Sequence, residues 1–322
     1  NSDRVNLSFV LSAEEKGAVV ANYVECIGAN RHNGRVNGIT VRDRLNGEQF
    51  DIRARVVLNA AGPWAPSLLT KLIPDARPTL PHGLSKAMNL ILEKPMALQH
   101  AVGGQNNSRL LFLAPWRGFT LAGTSHTHFK SIPDTLSVTH QEIEEFLRDI
   151  NNAFPGLSAE LKDIRLVHRG LLPSQENSAT GVSLLKQSAV RDHRQDGLPG
   201  LISILGVRYT TARYTAQQAI DTVFSVLHIA ATPCKTHNTP VIGGTLNDVR
   251  KFFESATNNS SPVPDHNTRE RLARTYGSTH TRLLETIQNT PEAGEPLSSD
   301  CAITRAEVTH AVREEMAVHL SD

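Results

Sequence analysis

The chain has 322 residues, of which 39% are hydrophobic and 20% are charged, and its formal net charge at pH 7 is +1. These values fit a globular protein with room for about two domains of ~150 residues. The sequence has neither the basic footprint that nucleic-acid binding needs nor the ~20-residue apolar run of a membrane-spanning helix. The three cysteines are far apart without zinc-like spacing, which argues against a disulfide framework and favours a reducing cytoplasm.

The first 74 residues carry an α/β pattern. A helix is predicted from the start of the chain to a stop near Gly17. Because the chain begins inside this helix without Met, we expect a fragment or a processed product. Residues 18–29 predict a buried strand, and Asn46-Gly47 predicts a hairpin. Val56–Leu58 predicts a short strand, with a helix near Ala65–Leu72.

Residues 75–200 are richer in strands and turns. The segments "MNLILE", "RLLFLAP" and "GFTLAGTS" have strand length and apolar character, and "SVTHQEIEEFLRDINNAFPG" predicts a helix capped by Ser137 or Thr139. His126-Thr127-His128 could form a metal pair on a strand, but no Asp, Glu or Cys stands at useful spacing. We therefore predict a surface turn there, and no metal site.

Residues 201–232 predict the strand Leu201–Leu205, a polar turn and then a helix. The turn contains Gly206, Arg208 and two threonines, Thr210 and Thr211, either of which could cap the helix. Because a helix start leaves unpaired N–H groups, this turn is a candidate anion site; the alternative is an ordinary turn with solvated arginines. Residues 240–322 predict a small all-helical domain behind a polar connector.

A second turn follows the strand that ends near Leu58. Its small residues, Ala60, Ala61 and Gly62, would let a ligand approach the backbone closely. The alternative is a tight strand-to-helix turn with Pro63 at the helix start. If both strands belong to one sheet, the two turns would flank one ligand at its carboxyl edge.

Several cations stand near predicted strand ends. Lys86, Arg169, and Arg191 with His193 could join Arg208 in lining a pocket for an anionic substrate. Each of them alone is typical of a solvated or ion-paired surface charge. The pocket requires that the fold bring them together.

Four segments in this order resemble FAD-dependent glycerol-3-phosphate dehydrogenases, in the D-amino-acid-oxidase-like flavoprotein group: "VVLNAAGPWA", "LLFLAPWRGFTLAGTS", "GLISILGVRYTTAR" and "RAEVTHAVREEMAVHL". The resemblance covers essentially the whole chain. It implies a mixed α/β fold: a Rossmann-like FAD-binding domain in residues 1–74 and 201–232 that lacks its first βαβ unit. An antiparallel substrate domain would be inserted at 75–200, with a C-terminal helical domain at 240–322.

The implied activity is hydride transfer from sn-glycerol 3-phosphate, or a similar polyol phosphate, to flavin N5, with a quinone or another acceptor taking the electrons. By resemblance, Arg208 and Thr210 would be catalytic and would bind substrate together with Lys86 and Arg169. The residues that would contact FAD are Asn59, Ala60, Ala61, Gly62, Trp64, Gly206, Val207, Tyr209 and Thr211. The resemblance allows peripheral contact with the inner face of the cell membrane, and a homodimer.

The chain departs from the family pattern at substrate-side positions. Asn89 stands where the family usually has a histidine, and Leu172 where it has a substrate arginine. The glycine-rich loop that grips the FAD pyrophosphate is absent from the chain. Two alternatives therefore stay open: a flavin oxidase or dehydrogenase for another 2-hydroxy acid or an amine, and a non-catalytic scaffold that kept the fold.

Overall fold

A computed structural model of the chain describes residues 2–73, 80, 83–96, 99–107, 109–175, 182–257 and 264–322. The fold has two compact units, one formed by residues 25–232 and the other by residues 1–24 with 233–322. The domain boundary predicted after residue 74 falls at residues outside the described ranges.

The helices are α1 (Ser2–Glu14), α2 (Ala65–Leu72), α3 (His140–Ala153), α4 (Ala212–Leu227), α5 (Val249–Thr257), α6 (His266–Tyr276), α7 (His280–Asn289) and α8 (Arg305–Glu314). The strands are β1 (Val24–His32), β2 (Arg35–Asp43), β3 (Gln49–Arg53), β4 (Val57–Asn59), β5 (Gly83–Leu92), β6 (Val102–Asn106), β7 (Arg109–Trp116), β8 (Phe119–Phe129), β9 (Ile164–Ser174), β10 (Ala189–Asp192), β11 (Leu201–Leu205), β12 (Pro296–Ser298) and β13 (Cys301–Thr304).

Strands β1, β2 and β3 form a three-stranded sheet in that order. The predicted hairpin is confirmed: Gly47 has a φ of +82°, which favours glycine, and the Asn46 side chain accepts the Glu48 N–H at 2.8 Å. The strand predicted over residues 18–29 begins only at Val24, since Tyr23 has a φ of +56° and leaves the extended conformation.

A five-stranded antiparallel sheet, ordered β6-β7-β8-β5-β9, forms the largest layer. Helix α3 covers one face, and its start is fixed by a reciprocal cap between Thr139 and Glu142. The core between α3 and the sheet consists of buried side chains from both: Met88, Leu90, Leu92, Leu111, Leu113, Ala122, Phe146, Leu147 and Ile150.

A smaller sheet has the order β10-β11-β4, with β11 parallel to β4 and antiparallel to β10. Strand β10 lies within the range predicted for the substrate domain, but its backbone pairs with β11. Helix α2 packs beside this sheet through Leu69, which shares a buried cluster with Leu201 and Val36. Helix α4 packs against β10 and β11.

The second unit is mainly helical, with a core of Leu272, Leu283, Ile287 and Ala306. Helix α1, predicted as part of the N-terminal α/β region, belongs to this unit because Arg4 binds Glu315 at 2.6 Å. The all-helical prediction is wrong, since β12 and β13 form an antiparallel pair; these short, mostly exposed strands give little apolar pattern. In the described parts of both units, no helix combines the length and the hydropathy needed to traverse a bilayer.

Candidate functional site

The turns after β4 and β11 lie side by side because these strands are parallel neighbours. Val57 pairs with Leu201, and Asn59 pairs with Ser203. The backbone therefore leaves both strands at the carboxyl edge of the sheet, where open α/β sheets bind their ligands. The prediction that the two turns share one rim is confirmed. We call residues 59–64 turn A and residues 206–211 turn B.

Turn A is folded around the side chain of Asn59, which is only 6% exposed. Its Oδ1 accepts the N–H of Ala61 at 3.2 Å, and its Nδ2 donates to the carbonyl of Ala65 at 3.1 Å. One amide therefore holds both the middle of the turn and the start of α2. An amide is suited to this task because it both accepts and donates.

The far side of turn A faces outward. Gly62 has a φ of +55°, a conformation that favours glycine. Trp64 is exposed, and its indole Nε1 donates to Asp134 at 2.7 Å, in the segment that follows β8. This hydrogen bond links turn A to the substrate-domain part of the same unit.

Turn B is exposed except for Val207, which is partly buried. The cap predicted from Thr210 or Thr211 is not formed, because neither hydroxyl accepts a hydrogen bond at the start of α4. Thr211 instead donates to the carbonyl of Arg208 at 3.2 Å. Neither threonine side chain therefore occupies the N–H groups at the start of α4.

Both turns open onto free space at a glycine. At Gly62 and at Gly206, no described atom lies within 4 Å of the position that a Cβ would take. The backbone is therefore accessible to a ligand at these two points. Other exposed glycines, such as Gly34 and Gly118, leave the same room, so it is the shared edge of the sheet that sets these two turns apart.

Arg208 and Thr210 are the polar side chains of turn B with unused bonding capacity. Both are exposed, and neither has an ion pair or side-chain hydrogen bond with any residue in the described ranges. A guanidinium remains charged at every physiological pH and matches phosphate or carboxylate geometry. Turn B can therefore bind an anion through Arg208, beside the hydroxyl of Thr210.

Lys86 lies elsewhere. On β5 it shares the α3-covered face with Met88, and its ammonium forms an ion pair with Glu142 while donating to the Ser137 carbonyl at 3.1 Å. Burial opposes ionisation of Glu142, but the hydrogen bond from Lys86 and those from Thr139 hold the pKa of Glu142 below its ordinary value. The Lys86 charge is thus already neutralised by a partner on α3.

Arg169 is on the same face of the sheet as Lys86, since it pairs across the strands with Met88. It is exposed. Leu172 pairs with Ser85, which directly precedes Lys86 on β5. Because side chains alternate along a strand, Leu172 lies on the face opposite Lys86. Among the described residues, no hydrogen bond or ion pair joins Lys86 or Arg169 to Arg208, and their substrate-binding role stays a prediction.

The face opposite α3 carries other polar groups. Asn89 accepts a hydrogen bond from the Thr124 hydroxyl at 2.8 Å, and His126 lies 3.4 Å from the Ser85 hydroxyl.

The surface turn predicted at His126–His128 is wrong, because these residues lie within β8. Burial, and then the charge of Arg109, lower the pKa of His126, so both favour the neutral imidazole.

Arg191 and His193 both contact the carboxylate of Asp196. Arg191 binds Asp196 at 2.8 Å, and His193 is fully buried with its Nδ1 2.7 Å from the same carboxylate. The hydrogen bonds from Arg191 hold the pKa of Asp196 below its ordinary value against the opposing effect of burial, and the contact with His193 adds to the lowering.

This pairing predicts a pH dependence of stability. Because the pKa of Asp196 is lower in the folded state than in the unfolded state, its contribution is full above the ordinary Asp pKa of about 4 and is lost as pH falls through the lowered value. Asp196→Asn should therefore have a lower unfolding temperature than the unchanged protein at pH 7, and the difference should shrink toward pH 3. A difference that stays constant over this range would contradict the assignment.

Two family models match the chain and together cover most of its length. Residues 1–222 match the model of the FAD dependent oxidoreductases, and residues 234–322 match that of the C-terminal domain of alpha-glycerophosphate oxidase. The two turns lie in the first match. The second covers most of the helical unit.

Similar proteins extend the comparison over the whole chain. A glycerol-3-phosphate dehydrogenase from Synechocystis sp. is 27% identical over all of this chain and 60% of its own length. An aerobic glycerol-3-phosphate dehydrogenase from Staphylococcus aureus is 25% identical over 99% of this chain and 58% of its length. The solved glycerol-3-phosphate dehydrogenase of Bacillus halodurans, complexed with FAD, is similar with a TM-score of 0.80 and 26% identity, over 98% of this chain and 61% of that one. The chain thus spans about three fifths of the length of these relatives.

Proposed function

The chain belongs to the FAD dependent oxidoreductases, and from this premise we propose that it forms the flavin-facing and part of the substrate-facing wall of an enzyme that oxidises sn-glycerol 3-phosphate or a similar polyol phosphate. The proposal is supported by the relatives from Synechocystis sp. and Staphylococcus aureus, which are named as glycerol-3-phosphate dehydrogenases. A quinone or another oxidant would take the electrons, and a homodimer or peripheral membrane contact belongs to the same proposal.

The observation that carries the proposal is the position of turns A and B at one carboxyl edge, each open at a glycine. These features fit one side of a flat ring system: the backbone of residues 59–64 and of 206–211 would hold it. When bound, FAD supplies a two-electron acceptor for a hydride. The uncapped start of α4 would stabilise negative charge at the edge of the ring.

The substrate side of the proposal depends on turn B. Arg208 would bind the phosphate of the substrate, because its charge is permanent and no described residue neutralises it. The hydroxyl of Thr210 would orient a substrate oxygen. On the neighbouring sheet, Asn89 already accepts from Thr124, and His126 lies on the same face 3.4 Å from the Ser85 hydroxyl.

A second candidate is an oxidase or dehydrogenase for another 2-hydroxy acid or an amine. It is favoured by the face that carries Asn89 and Leu172, where the family resemblance leads one to expect a histidine and an arginine. These substitutions change the groups presented to substrate without touching turns A and B. A scaffold without activity is the remaining alternative.

The experiment uses the complete protein encoded by the reading frame that contains this chain. It is loaded with FAD, kept without oxygen, and mixed in turn with sn-glycerol 3-phosphate, glycerol, a 2-hydroxy acid and a secondary amino acid. We expect bleaching of the flavin absorbance with sn-glycerol 3-phosphate and little with glycerol, which lacks the phosphate. Bleaching only by the acid or the amine would replace the proposal by the second candidate.

A further inference from the structure

Beneath turn A, four side chains form an unbroken chain of hydrogen bonds that ends on Asn59. Asp196 Oδ2 lies 2.7 Å from His193 Nδ1, and His193 Nε2 lies 2.8 Å from the Ser203 hydroxyl. The same hydroxyl oxygen is 3.4 Å from Asn59 Nδ2. We call these residues the Asn59 chain. Arg191 holds its outer end, donating to the other oxygen of Asp196 at 2.8 Å.

The direction of each hydrogen bond in the Asn59 chain is determined by chemistry. The carboxylate of Asp196 only accepts, so His193 Nδ1 donates to it, and in the neutral tautomer that this requires Nε2 presents its lone pair. The Ser203 hydroxyl donates to that lone pair. Its oxygen is then free to accept from the amide of Asn59. No member can reverse its role without leaving a buried polar group unpaired, which is costly.

The order Asp–His–Ser is also that of a hydrolytic triad, but this reading fails on access. His193 and Ser203 are both 0% exposed, and the hydroxyl lies between two protein partners. A nucleophile must reach its substrate. The Asn59 chain therefore serves to position side chains and has no nucleophile that a substrate could reach.

We propose that His193 is a positioning residue for turn A. Acting through Ser203, it fixes the rotation of the Asn59 amide, and Asn59 in turn holds the N–H of Ala61 and the carbonyl of Ala65. The backbone between them is thereby kept in one conformation for the flavin. The inference rests on the proposed function in one respect, namely that turn A contacts FAD.

The first test compares two buried serines in the complete protein. Ser203→Ala removes the middle of the Asn59 chain. Ser174→Ala is the matched control, because Ser174 is also 0% exposed on a strand and its hydroxyl has no hydrogen-bond partner among the described residues. The apoprotein is titrated with FAD, and binding is followed by the change in flavin fluorescence and in the visible spectrum.

We expect Ser203→Ala to weaken FAD binding about tenfold, which corresponds to about 1.4 kcal/mol, and to shift the visible flavin band. Ser174→Ala should bind FAD within about twofold of the unchanged protein. Equal affinities in the two variants would overturn the inference. If the unchanged protein binds no FAD, the proposed function fails, and this inference fails with it.

The second test separates the two sides of His193. In His193→Gln the side-chain amide can reach the place of Nε2 and accept from Ser203, whereas the shorter His193→Asn can replace only the contact with Asp196. We expect the Gln variant to recover FAD affinity and the Asn variant to resemble Ser203→Ala. Equal weakening in both would overturn the role assigned to Nε2. If either variant fails to fold, Ser203→Ala, which loses a single oxygen, decides the question.

Discussion

Replacing Arg208 with alanine is expected to slow flavin reduction by sn-glycerol 3-phosphate about 100-fold, the loss typical of removing one charge-stabilising donor from an active site. The side chain is exposed at turn B and has no partner among the described residues, so its removal leaves no buried group unsatisfied. Folding and FAD binding should persist. The loss should appear in the rate of the half-reaction, measured by stopped-flow without oxygen.

Arg169→Ala is the control for this experiment. Arg169 is also an exposed arginine, but it lies on the face of the large sheet that α3 covers. We expect the rate to change by less than about threefold, as for most surface substitutions. Unchanged kinetics in Arg208→Ala would remove Arg208 from the site, and a large loss in Arg169→Ala would restore the role that sequence reasoning gave to Arg169.

Replacing Glu307 with alanine is expected to destabilise the C-terminal unit by about 2 kcal/mol, because it removes a partly buried ion pair and one half of a helix capping box. Glu307 is 4% exposed. It binds Arg271 through both oxygens, at 2.5 and 2.7 Å, and accepts the N–H of Thr304 at 2.8 Å at the start of α8. Its loss removes an ion pair and a helix cap together.

Hydrogen exchange of the complete protein measures this effect locally. Amides of α6 and α8 should exchange much faster in Glu307→Ala, while those of β5 and β8 keep their protection. Glu295→Ala is the control, because the Glu295–Arg305 pair is more than half exposed on both sides and should contribute less than about 1 kcal/mol. Equal exchange in the two variants would show that the Glu307 contacts add little.

Local pattern was sufficient for the parts of the fold that local chemistry determines. The helix at Ala65–Leu72 and the hairpin at Asn46-Gly47 were predicted correctly because a turn residue or a Pro marks them. The neighbouring position of turns A and B was predicted as well. It follows from two apolar strands that each end in small residues and belong to one parallel pair.

The features that were missed depend on contacts between distant parts of the chain. Nothing near Asn59 in the sequence indicates Ser203 or His193. The parallel pairing of β4 with β11 places Ser203 beside Asn59, and the antiparallel pairing of β10 with β11 brings His193 close to Ser203. The substrate-binding role predicted for Lys86 also depends on a contact that is distant in sequence. Its side-chain direction depends on strand alternation relative to α3, and α3 provides Glu142 as its partner.

The central claim is that turns A and B together form one wall of a flavin site, and the most direct measurement is a crystal structure of the complete protein grown with FAD. The account predicts the isoalloxazine ring in van der Waals contact with the backbone at Gly62 and Gly206, with Arg208 directed at the space beside the ring. A protein that crystallises without flavin, or a ring that contacts only one turn, would contradict it.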